Sequence, residues 1–416
     1  MAGFIELLRG GAFLTRERVR LVAIAVLAAS LIGLVFLLAG SAGPNDSYGR
    51  PLGTDFASFY AAGTLVRDGL AAAAFDPAAH YAREQALFGA ATPYYAFQYP
   101  PVFLLVGAAL AALPYLPALV IWQIATLVLY VLAIRAILTM PPQDRGVDRL
   151  WLLLALAFPA VLTNLGHGQN GLLTAALFGT ALALLDRRPL VAGALIGLMI
   201  YKPQFGLMIP LVLIATGRWR AFAAAAATVM ALLLVTAVAL GPEVWTGFFV
   251  SMHVSRTVLL EQGDVGFFKM QSVFAWVRLW GGGVTLAYLI QGAVTLAVAA
   301  ALLWFWRSDA RYPLKASALL IGTLLATPFA LDYDLMLLAP AIAFLALDGQ
   351  RDGFCAWHKL VLTALWLVPL IARSIAEAVS IPLAAPVMLL GFVFVLQRAI
   401  SERTGPDVMT HNGARE

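Results

Sequence analysis

Charged and polar side chains stand at the few points where one apolar stretch of this chain ends and the next begins. Asp55 follows the first apolar stretch. Gln169 lies in "NLGHGQNG" (residues 164–171), and Lys202 lies in "YKPQFG" (residues 201–206). A carboxylate can remove the proton of a hydroxyl group as a general base, and an ammonium can hold a phosphate as a point charge. The other candidate binding residues are His167, Gln204, Asp332, Asp334, Tyr99, Arg256 and Lys269.

Each of the main candidates also has a structural interpretation. Asp55 is a suitable N-cap for a helix that begins there, and Gln169 can cap the helix that follows it. Lys202 can extend its ammonium out of the apolar layer, although the proline and glutamine after it favour a turn that presents the charge. His167, between two glycines, can simply bond to the loop backbone.

The remaining candidates are equally open. Asp332 and Asp334, in "LDYDL", form either an N-cap pair or a set of cation ligands. Tyr99 precedes two prolines and suits a rigid loop end. Arg256 and Lys269 can contact a phosphate, although most cations in loops are simply solvated.

The composition is that of a polytopic membrane protein. Of the 416 residues, 62% are hydrophobic and 12% are charged, and the mean hydropathy is +0.88. Soluble proteins average about 25% charged residues. The single cysteine, Cys355, excludes an intramolecular disulfide and a cysteine metal cluster. The net charge of +5 comes from arginines scattered between apolar runs, where they act as topology signals, so no nucleic-acid partner is expected.

The apolar stretches predict an all-α membrane bundle of about 11–13 transmembrane or partial helices. The first stretch, Leu21 to Gly40, is longer than a typical signal-peptide core and is interpreted as a retained helix. Several later stretches are shorter than the roughly 20 residues that cross a bilayer, which indicates helices that end inside the protein around a cavity. All the apolar stretches after the first, long and short together, are 101–113, 115–138, 150–165, 169–185, 189–201, 203–216, 219–240, 284–306, 313–330, 333–347, 358–376 and 380–398.

The basic residues orient this bundle. If the N-terminus is cytoplasmic, 19 of the 27 Lys and Arg residues fall on the cytoplasmic side, as the positive-inside rule expects. This orientation requires 101–113 to be a partial or re-entrant helix broken at Pro114. It leaves two long extracytoplasmic loops, 41–100 and 241–283, and a cytoplasmic tail, 400–416. No internal repeat divides the chain, so 1–416 is interpreted as one membrane domain.

Two helices are predicted in the first extracytoplasmic loop, lying at the membrane interface and tethered to the bundle. The second, in "FDPAAHYAREQALFG", has Asp76 as its N-cap, Pro77 in its first position and Gly89 at its end. The first, in "DFASFYAAGTLVRDG", has Asp55 as its N-cap. Its predicted apolar face consists of Phe56, Phe59, Tyr60, Gly63 and Val66.

All the candidate residues fall on the extracytoplasmic side of this topology, although arginines alone determine it. Polar groups at membrane depth are costly unless they line a cavity or bind a ligand. We therefore expect one site that opens away from the cytoplasm in a cytoplasmic (inner) membrane. A lipid-linked phosphosugar suits such a site. Asp55 would deprotonate an acceptor hydroxyl group, Lys202 would hold the donor phosphate, and direct displacement would invert the anomeric centre.

Two other functions would use similar residues. A transporter or flippase of a lipid-linked sugar also needs polar groups in the membrane, but many such folds show inverted repeats, which this sequence lacks. A transporter also has no need for an outer loop of about 60 residues with a capped helix beside an acid. A non-catalytic subunit of a glycan assembly is the second alternative. The acceptor itself stays open among a glycolipid, a glycan and a protein.

Five motifs occur in a fixed order: "DFASFYAAG", "YPPVF", "GHGQNGLLTAALF", "AGALIGLMIYKPQ" and "TPFALDYDLMLL". From about Asp55 to Leu338 the chain resembles the family-87 glycosyltransferases, whose best known members are polyprenyl-phosphate-mannose-dependent mannosyltransferases of the GT-C superfamily. The resemblance implies a GT-C fold, an extracytoplasmic site, a polyprenyl-phosphate donor that usually carries mannose, inversion, and no cofactor. It also implies that Asp55 is the catalytic base, that Lys202 binds the donor phosphate, and that Gln169 is the glutamine of a "GQ" motif.

The chain departs from this family pattern just before Asp332. Phe329 and Leu331 stand where a histidine is expected, and His167 and His253 are the histidines that could compensate for it. The "DYD" sequence also imitates the D-x-D motif with which nucleotide-sugar enzymes bind a divalent metal. A donor with a single phosphate argues against this interpretation, so no metal is expected.

Overall fold

The computed structural model describes residues 2–141 and 148–404. Over these ranges the chain forms helices joined by turns, with isolated bridges in place of β-strands, which confirms the all-α prediction. Part of one predicted cytoplasmic connection, 142–147, and the predicted tail beyond residue 404 lie outside the described residues. The α-helices are α1 (Ala2–Gly10), α2 (Arg16–Ala39), α3 (Thr54–Arg67), α4 (Pro77–Phe88), α5 (Val102–Leu110), α6 (Tyr115–Leu138), α7 (Arg149–Leu156), α8 (Pro159–His167), α9 (Gly171–Leu184), α10 (Pro189–Leu198), α11 (Met208–Ala215), α12 (Trp219–Leu240), α13 (Glu243–Val254), α14 (Val273–Leu279), α15 (Val284–Arg307), α16 (Tyr312–Ala326), α17 (Leu338–Asp352), α18 (His358–Val379) and α19 (Ala384–Thr404).

Five of the described helices are long and apolar enough to cross a membrane: α2, α6, α12, α15 and α18. Two of them, α2 and α12, lie at the edge of the bundle, with only 6% of their apolar windows buried by protein. The centre of the bundle is formed by α16 and α17, which are buried along most of their length. Because so much apolar surface is exposed, this bundle needs a lipid environment.

The stretch 150–165 is not the single segment that the sequence predicts. It forms α7 and α8, which meet at an angle of 43°. Pro159 is the first residue of α8, and proline disfavours helical backbone in the residue before it, so the helix must break there.

Two of the short segments have an end that is buried in the protein, α5 at its start after Pro101 and α10 at the break that contains Lys202. Helix α5 has nine residues and therefore a length of about 14 Å, less than half of the roughly 30 Å of a bilayer core. Between α10 and α11 the backbone forms two 3-10 turns, Met199–Tyr201 and Pro203–Gly206, with Lys202 between them. The helix breaks therefore place polar residues in the interior.

The first loop contains both predicted helices, but one of the predicted caps is wrong. In α4, Asp76 accepts a hydrogen bond from the backbone N–H of Ala79 at 2.9 Å, as expected of an N-cap. In α3 the N-cap is Gly53, in the left-handed conformation (φ 69°), and Asp55 lies inside the first turn. The carboxylate of Asp55 binds another part of the chain instead of the end of its own helix.

Helix α3 is buried on more sides than the predicted apolar face requires. Small residues let it approach α5 closely, since a Cβ atom on Gly63 would lie 2.0 Å from the carbonyl oxygen of Gly107. Of the residues on the predicted apolar face, Val66 alone is partly exposed and the others are buried. Ala57, Ser58 and Ala61, on other faces of the helix, are buried too. The protein itself therefore fixes the position of Asp55.

The second loop also contains helices, α13 and α14, joined by a π-helical turn (Ser255–Glu261) and a 3-10 turn (Phe267–Lys269). It is attached to the segment that precedes Asp332. The backbone N–H of Gln271 donates to the carbonyl of Ala330 at 2.7 Å, and the Ser272 hydroxyl group donates to the carbonyl of Pro328 at 2.6 Å.

The predicted cytoplasmic connections gather at one end of the bundle, here called the basic end. Arg16, at the start of α2, donates to Asp148, before α7, at 2.5 Å. The backbone N–H of Trp357, before α18, donates to the carbonyl of Arg9 at 2.8 Å.

The basic end also contains a buried carboxylate, Asp348 of α17, whose side chain has 0% exposure. Arg398 donates to it at 2.7 Å, and Arg311 lies 3.1 Å from it. Arg311 also pairs with Asp352. These ion pairs fasten α16, α17 and α19 to one another.

Candidate active site

The carboxylate of Asp55 is held by an amide. The side-chain N–H of Gln169 donates to Oδ2 of Asp55 at 2.8 Å. The carbonyl oxygen of the same amide accepts from the Tyr99 hydroxyl group at 3.2 Å and from the backbone N–H of Asn170 at 2.8 Å. Because Gln169 is 3% exposed and bonded at both ends of its amide, it fixes the orientation of the half-buried Asp55.

Two glycines allow α3 to reach the junction between α8 and α9. Gly53 and Gly168 both adopt positive φ, 69° and 62°, which is accessible to glycine at little cost. A Cβ atom on Gly168 would lie 2.5 Å from Cβ of Phe56. Trp122 of α6 donates its indole N–H to the carbonyl of Gly168 at 2.9 Å, which holds the junction in place.

His167 binds a side chain and not the loop backbone. Its Nδ1 and the hydroxyl oxygen of Thr54, the residue before Asp55, share a hydrogen bond at 2.7 Å. Helix α8, which ends at His167, also packs against the Asp332–Leu337 turn. His167 therefore lies between the start of α3 and the "DYD" segment. His253, the other histidine considered, is exposed at the end of α13.

Lys202 forms a buried ion pair with Asp334. Its ammonium donates to Oδ1 at 2.6 Å, and the two side chains are 3% and 2% exposed. The other carboxylate oxygen accepts from the backbone N–H of Leu331 at 3.0 Å. The ammonium also lies over the ring of Tyr333, 5.2 Å from its centroid. Lys202 therefore points into the protein, and Gln204, in the following turn, is half-buried.

Tyr99 is influenced by two carboxylates, Asp55 and Asp334. Burial of the Tyr99 hydroxyl group raises its pKa well above the usual value, and the negative charges of Asp55 and Asp334 add to this effect. The Asn164 amide donates to the backbone carbonyl of Tyr333 at 3.0 Å and so ties the "GHGQ" junction to the "DYD" turn. The acid, the amide and the buried ion pair belong to one polar region, here called the site end.

The second acid of "DYD" binds a residue that we did not predict as part of the site. Arg373 of α18 lies 3.4 Å from Oδ2 of Asp332, and its side chain is 43% exposed. The topology prediction places Arg373 among the Lys and Arg residues on the extracytoplasmic side and assigns no role to it. The signal that could have identified it is an arginine alone in an apolar stretch, because such a charge is costly unless it has a partner or a function. Asp332 and Asp334 therefore pair with different cations, Arg373 and Lys202.

The two candidates from the second loop have contacts of a different kind. Arg256 donates to Glu261 at 2.8 Å and lies over the ring of Tyr288 of α15. Lys269 lies 6.0 Å from the ring centroid of Phe268, against which Arg373 also packs. Lys269 therefore lies at the edge of the site end. Arg256 instead contacts Glu261 of its own loop and Tyr288 of α15.

Nothing in the described part of the chain resembles a cage for a metal ion. Within residues 2–141 and 148–404, no three or more His, Cys, Asp or Glu side chains are grouped so that they could hold one. The two acids of "DYD" each have a cation as a partner.

A comparison with protein families gives one match. The model of glycosyltransferase family 87 matches residues 97–328, which is more than half of the chain. The matched segment contains Tyr99, Gln169 and Lys202, whereas Asp55 and Arg373 lie outside it. Neither a curated protein nor a solved structure matches the chain significantly.

Proposed function

Because this chain belongs to glycosyltransferase family 87, it is a membrane glycosyltransferase, and we propose that it transfers a sugar, mannose as the first choice, from a polyprenyl-phosphate donor to an extracytoplasmic hydroxyl group. The observation that supports this proposal best is the contact between Asp55 and Gln169. It joins a carboxylate outside the matched segment to a motif inside it, as one site built by the whole fold would require.

The proposed reaction is a single displacement at the anomeric carbon. The acceptor oxygen forms a bond to this carbon while the bond from the carbon to the phosphate oxygen breaks. The acceptor proton moves to Asp55, and the bonding electron pair leaves with the phosphate. Attack from the face opposite the phosphate inverts the configuration of the transferred sugar. General-base assistance of this kind typically contributes about 10²–10⁴-fold to the rate.

Gln169 is a positioning residue in this proposal. Its hydrogen bond engages Oδ2 of Asp55, and we assign the other carboxylate oxygen to the acceptor hydroxyl group. The amide orients the carboxylate without neutralising it. Tyr99 fixes the amide in turn, because its hydroxyl group donates to the amide carbonyl and its ring packs between Phe59 and Phe103.

We propose a structural role for Lys202 in addition to the phosphate-binding role that its position in the sequence suggests. Its ammonium has three N–H donors, one of which binds the buried Asp334, and moving the ammonium away from this carboxylate would leave an unpaired buried charge, which typically costs about 3–5 kcal/mol. We therefore assign Lys202 to holding the Asp332–Leu337 turn in place beside the donor.

The site is proposed to open on the extracytoplasmic side of the cytoplasmic membrane. This orientation rests on the basic end, where the arginine-rich connections gather and which the positive-inside rule assigns to the cytoplasm. A lipid-linked donor would then present its sugar at the outer surface, with its tail in the bilayer. A glycolipid, a glycan or a protein could supply the acceptor hydroxyl group.

The test is a transfer assay with the purified full-length protein in lipid vesicles. Radiolabelled polyprenyl-phosphate mannose is supplied with candidate lipid acceptors, and the anomeric configuration of the product is determined by NMR. The proposal predicts a new glycosidic bond of inverted configuration. Movement of the labelled donor across the bilayer without a new bond would instead identify a transporter, and a product with retained configuration would exclude the single displacement.

A further inference from the structure

Of the two cations that pair with the acids of "DYD", Arg373 is bound more loosely than Lys202. The ammonium of Lys202 lies 2.6 Å from Asp334 with 3% of the side chain exposed, whereas Arg373 lies 3.4 Å from Asp332 with 43% exposed. Ionised hydrogen-bonding pairs of nitrogen and oxygen usually lie about 2.7–2.9 Å apart. Arg373 is therefore only weakly engaged by its carboxylate and is accessible from outside.

Arg373 is connected to the catalytic carboxylate through a short series of contacts. Asp55 follows Thr54, and Thr54 is bonded to His167 at 2.7 Å. Helix α8, which ends at His167, packs against the Asp332–Leu337 turn, and Asp332 is the partner of Arg373. The cation and the proposed base therefore border the same polar region from two sides.

The helix that carries Arg373 also faces lipid. Leu370 and Ile371, just before it, are 52% and 43% exposed, and Val379 at the end of α18 is 56% exposed. In a membrane these side chains contact acyl chains. Arg373 thus lies where a surface for an apolar tail meets the polar site, which is the position that the phosphate of a lipid-linked sugar would occupy.

We propose that Arg373 binds the phosphate of the polyprenyl donor and stabilises the negative charge that this group acquires as it leaves. This inference rests on the proposed function and goes beyond it by naming the phosphate ligand. A guanidinium can bind two phosphate oxygens at once through its planar set of N–H donors. As the bond between the anomeric carbon and the phosphate oxygen breaks, the electron pair passes to the phosphate, and the fixed positive charge of Arg373 favours that step.

The experiment measures two properties separately. The dissociation constant of polyprenyl phosphate, which carries no sugar, is determined for the full-length protein in lipid nanodiscs, and the donor KM and kcat are determined in the transfer assay. For Arg373→Ala we expect polyprenyl phosphate to bind at least about tenfold more weakly, because a charge-assisted hydrogen bond is lost, and the donor KM to rise in parallel. Arg373→Lys should recover part of the loss, because it restores the charge without the planar donors.

The matched control is Arg83→Ala. Arg83 is also an outer arginine with a carboxylate partner, Asp68, at 2.6 Å, but it belongs to the first loop. Its loss should change the dissociation constant by less than about twofold, as expected for a surface ion pair. If Arg373→Ala does not yield folded protein, Arg373→Gln gives the same comparison with more of the side chain kept.

Equal binding of polyprenyl phosphate by Arg373→Ala and Arg83→Ala would overturn the inference. So would a tenfold loss confined to Arg256→Ala, which would move the phosphate to the second loop. A wild-type protein that binds polyprenyl phosphate through Arg373 but forms no glycosidic bond with any acceptor would leave the phosphate site standing, and it would remove both the proposed function and the role of Arg373 in the departure of the phosphate. The phosphate site and the proposed function can therefore fail independently.

Discussion

The basic end and the site end of the bundle both bury carboxylates, but they neutralise them differently. At the basic end Asp348 is fully buried and contacts two arginines, Arg311 and Arg398. At the site end Asp334 contacts one lysine, and Asp55 is held by a neutral amide. A neighbouring guanidinium strongly stabilises the charged form of a carboxylate and weakens it as a base, whereas the single hydrogen bond of a neutral amide does so less and mainly orients the carboxylate. The comparison indicates that the basic end joins helices, while the site end keeps one acid available for chemistry.

The sizes of cavities do not identify the active site of this protein. A cavity of about 520 Å³ lies at the basic end. It is lined by Arg311, Asp352, Gly353, Phe354, Cys355 and Arg398. Its arginines contact Asp348 and Asp352, so the charges there are paired within the protein. Our proposal of the site end as the active site depends instead on the arrangement of its polar groups.

The largest expected effect is a loss of kcat when Asp55 at the site end is substituted, in contrast to Asp352 at the basic end. Asp55→Asn should lower kcat about 10²–10⁴-fold, because the base is lost while the substituted side chain can still accept the hydrogen bond of Gln169. Asp352→Asn at the basic end should leave kcat nearly unchanged. Both rates are measured in the transfer assay, and a kcat for Asp55→Asn within a few-fold of the wild-type value would remove Asp55 as the base.

The loss of the cation should lower the free energy of unfolding more for the ion pair at the site end than for the ion pair at the basic end. Lys202→Met leaves Asp334 without its partner and should lower the free energy of unfolding by about 3–5 kcal/mol. Arg398→Met should cost less, about 1–3 kcal/mol, because Arg311 still contacts Asp348. Denaturant unfolding in detergent micelles measures both values.

A second substitution provides the control for that comparison. Adding Asp334→Asn to Lys202→Met removes the unpaired charge and keeps an acceptor for the N–H of Leu331, so most of the lost stability should return. An equally unstable double variant would show that Lys202 stabilises the fold by packing and not by its charge.

A smaller effect is expected from the glycine that lets α3 approach the "GHGQ" junction. Gly168→Ala places a Cβ atom 2.5 Å from Phe56 at a positive φ, so Gln169 must shift away from Asp55. We expect kcat to fall about tenfold to a hundredfold, as for small displacements of reacting groups. Gly166→Ala, in the same motif, meets no atom within 4 Å and should keep its activity. Equal activities of the two variants would show that the close approach is not needed.

The smallest expected effect concerns a buried acid in the first loop that has no ion pair with Lys or Arg among the described contacts. Glu84 of α4 is fully buried beside His80, 3.9 Å away. Burial raises the pKa of Glu84 from 4.5 to about 8 and lowers that of His80 from 6.5 to about 4. As the pH rises above 6.5, unfolded His80 loses its proton and becomes neutral like folded His80, so the pH dependence comes increasingly from Glu84 alone. Folded Glu84 keeps a proton that the unfolded chain releases, so stability should fall between pH 6.5 and 8, by at most about 1.4 kcal/mol per pH unit.

The check is the unfolding midpoint of the wild type and of Glu84→Gln over that pH range. The wild-type midpoint should fall as the pH rises, and the variant, which has no titrating group at this position, should show a flatter curve. Parallel curves would mean that Glu84 is already charged in the folded protein.

Much of the fold could be predicted because its rules are local. Apolar stretches predicted the membrane helices. The N-cap Asp76 and the proline after it predicted α4, and the basic residues predicted which connections gather at the basic end. The predictions failed where a local rule met a competing contact. Asp55 has the sequence position of an N-cap, but Gly53 takes that role and Gln169, 114 residues further along the chain, binds the carboxylate.

The sequence predicted which residues belong to the candidate site better than it predicted which of these residues contact one another. The motifs indicated Asp55, Gln169, Tyr99 and Lys202, which the structure brings to one end. No periodicity in the sequence could show that Lys202 binds Asp334, because the two belong to breaks in different helices that meet only after the bundle packs. Arg373 was missed for the same reason, since its partner lies 41 residues away in another turn.

The most direct measurement is a structure of the full-length Asp55→Asn protein with the polyprenyl-phosphate sugar bound in a lipid nanodisc. The account predicts the sugar at the site end, with its anomeric carbon next to residue 55 and its phosphate on the side of Arg373. A donor whose phosphate occupies the cavity between Arg311 and Arg398 at the basic end would contradict it.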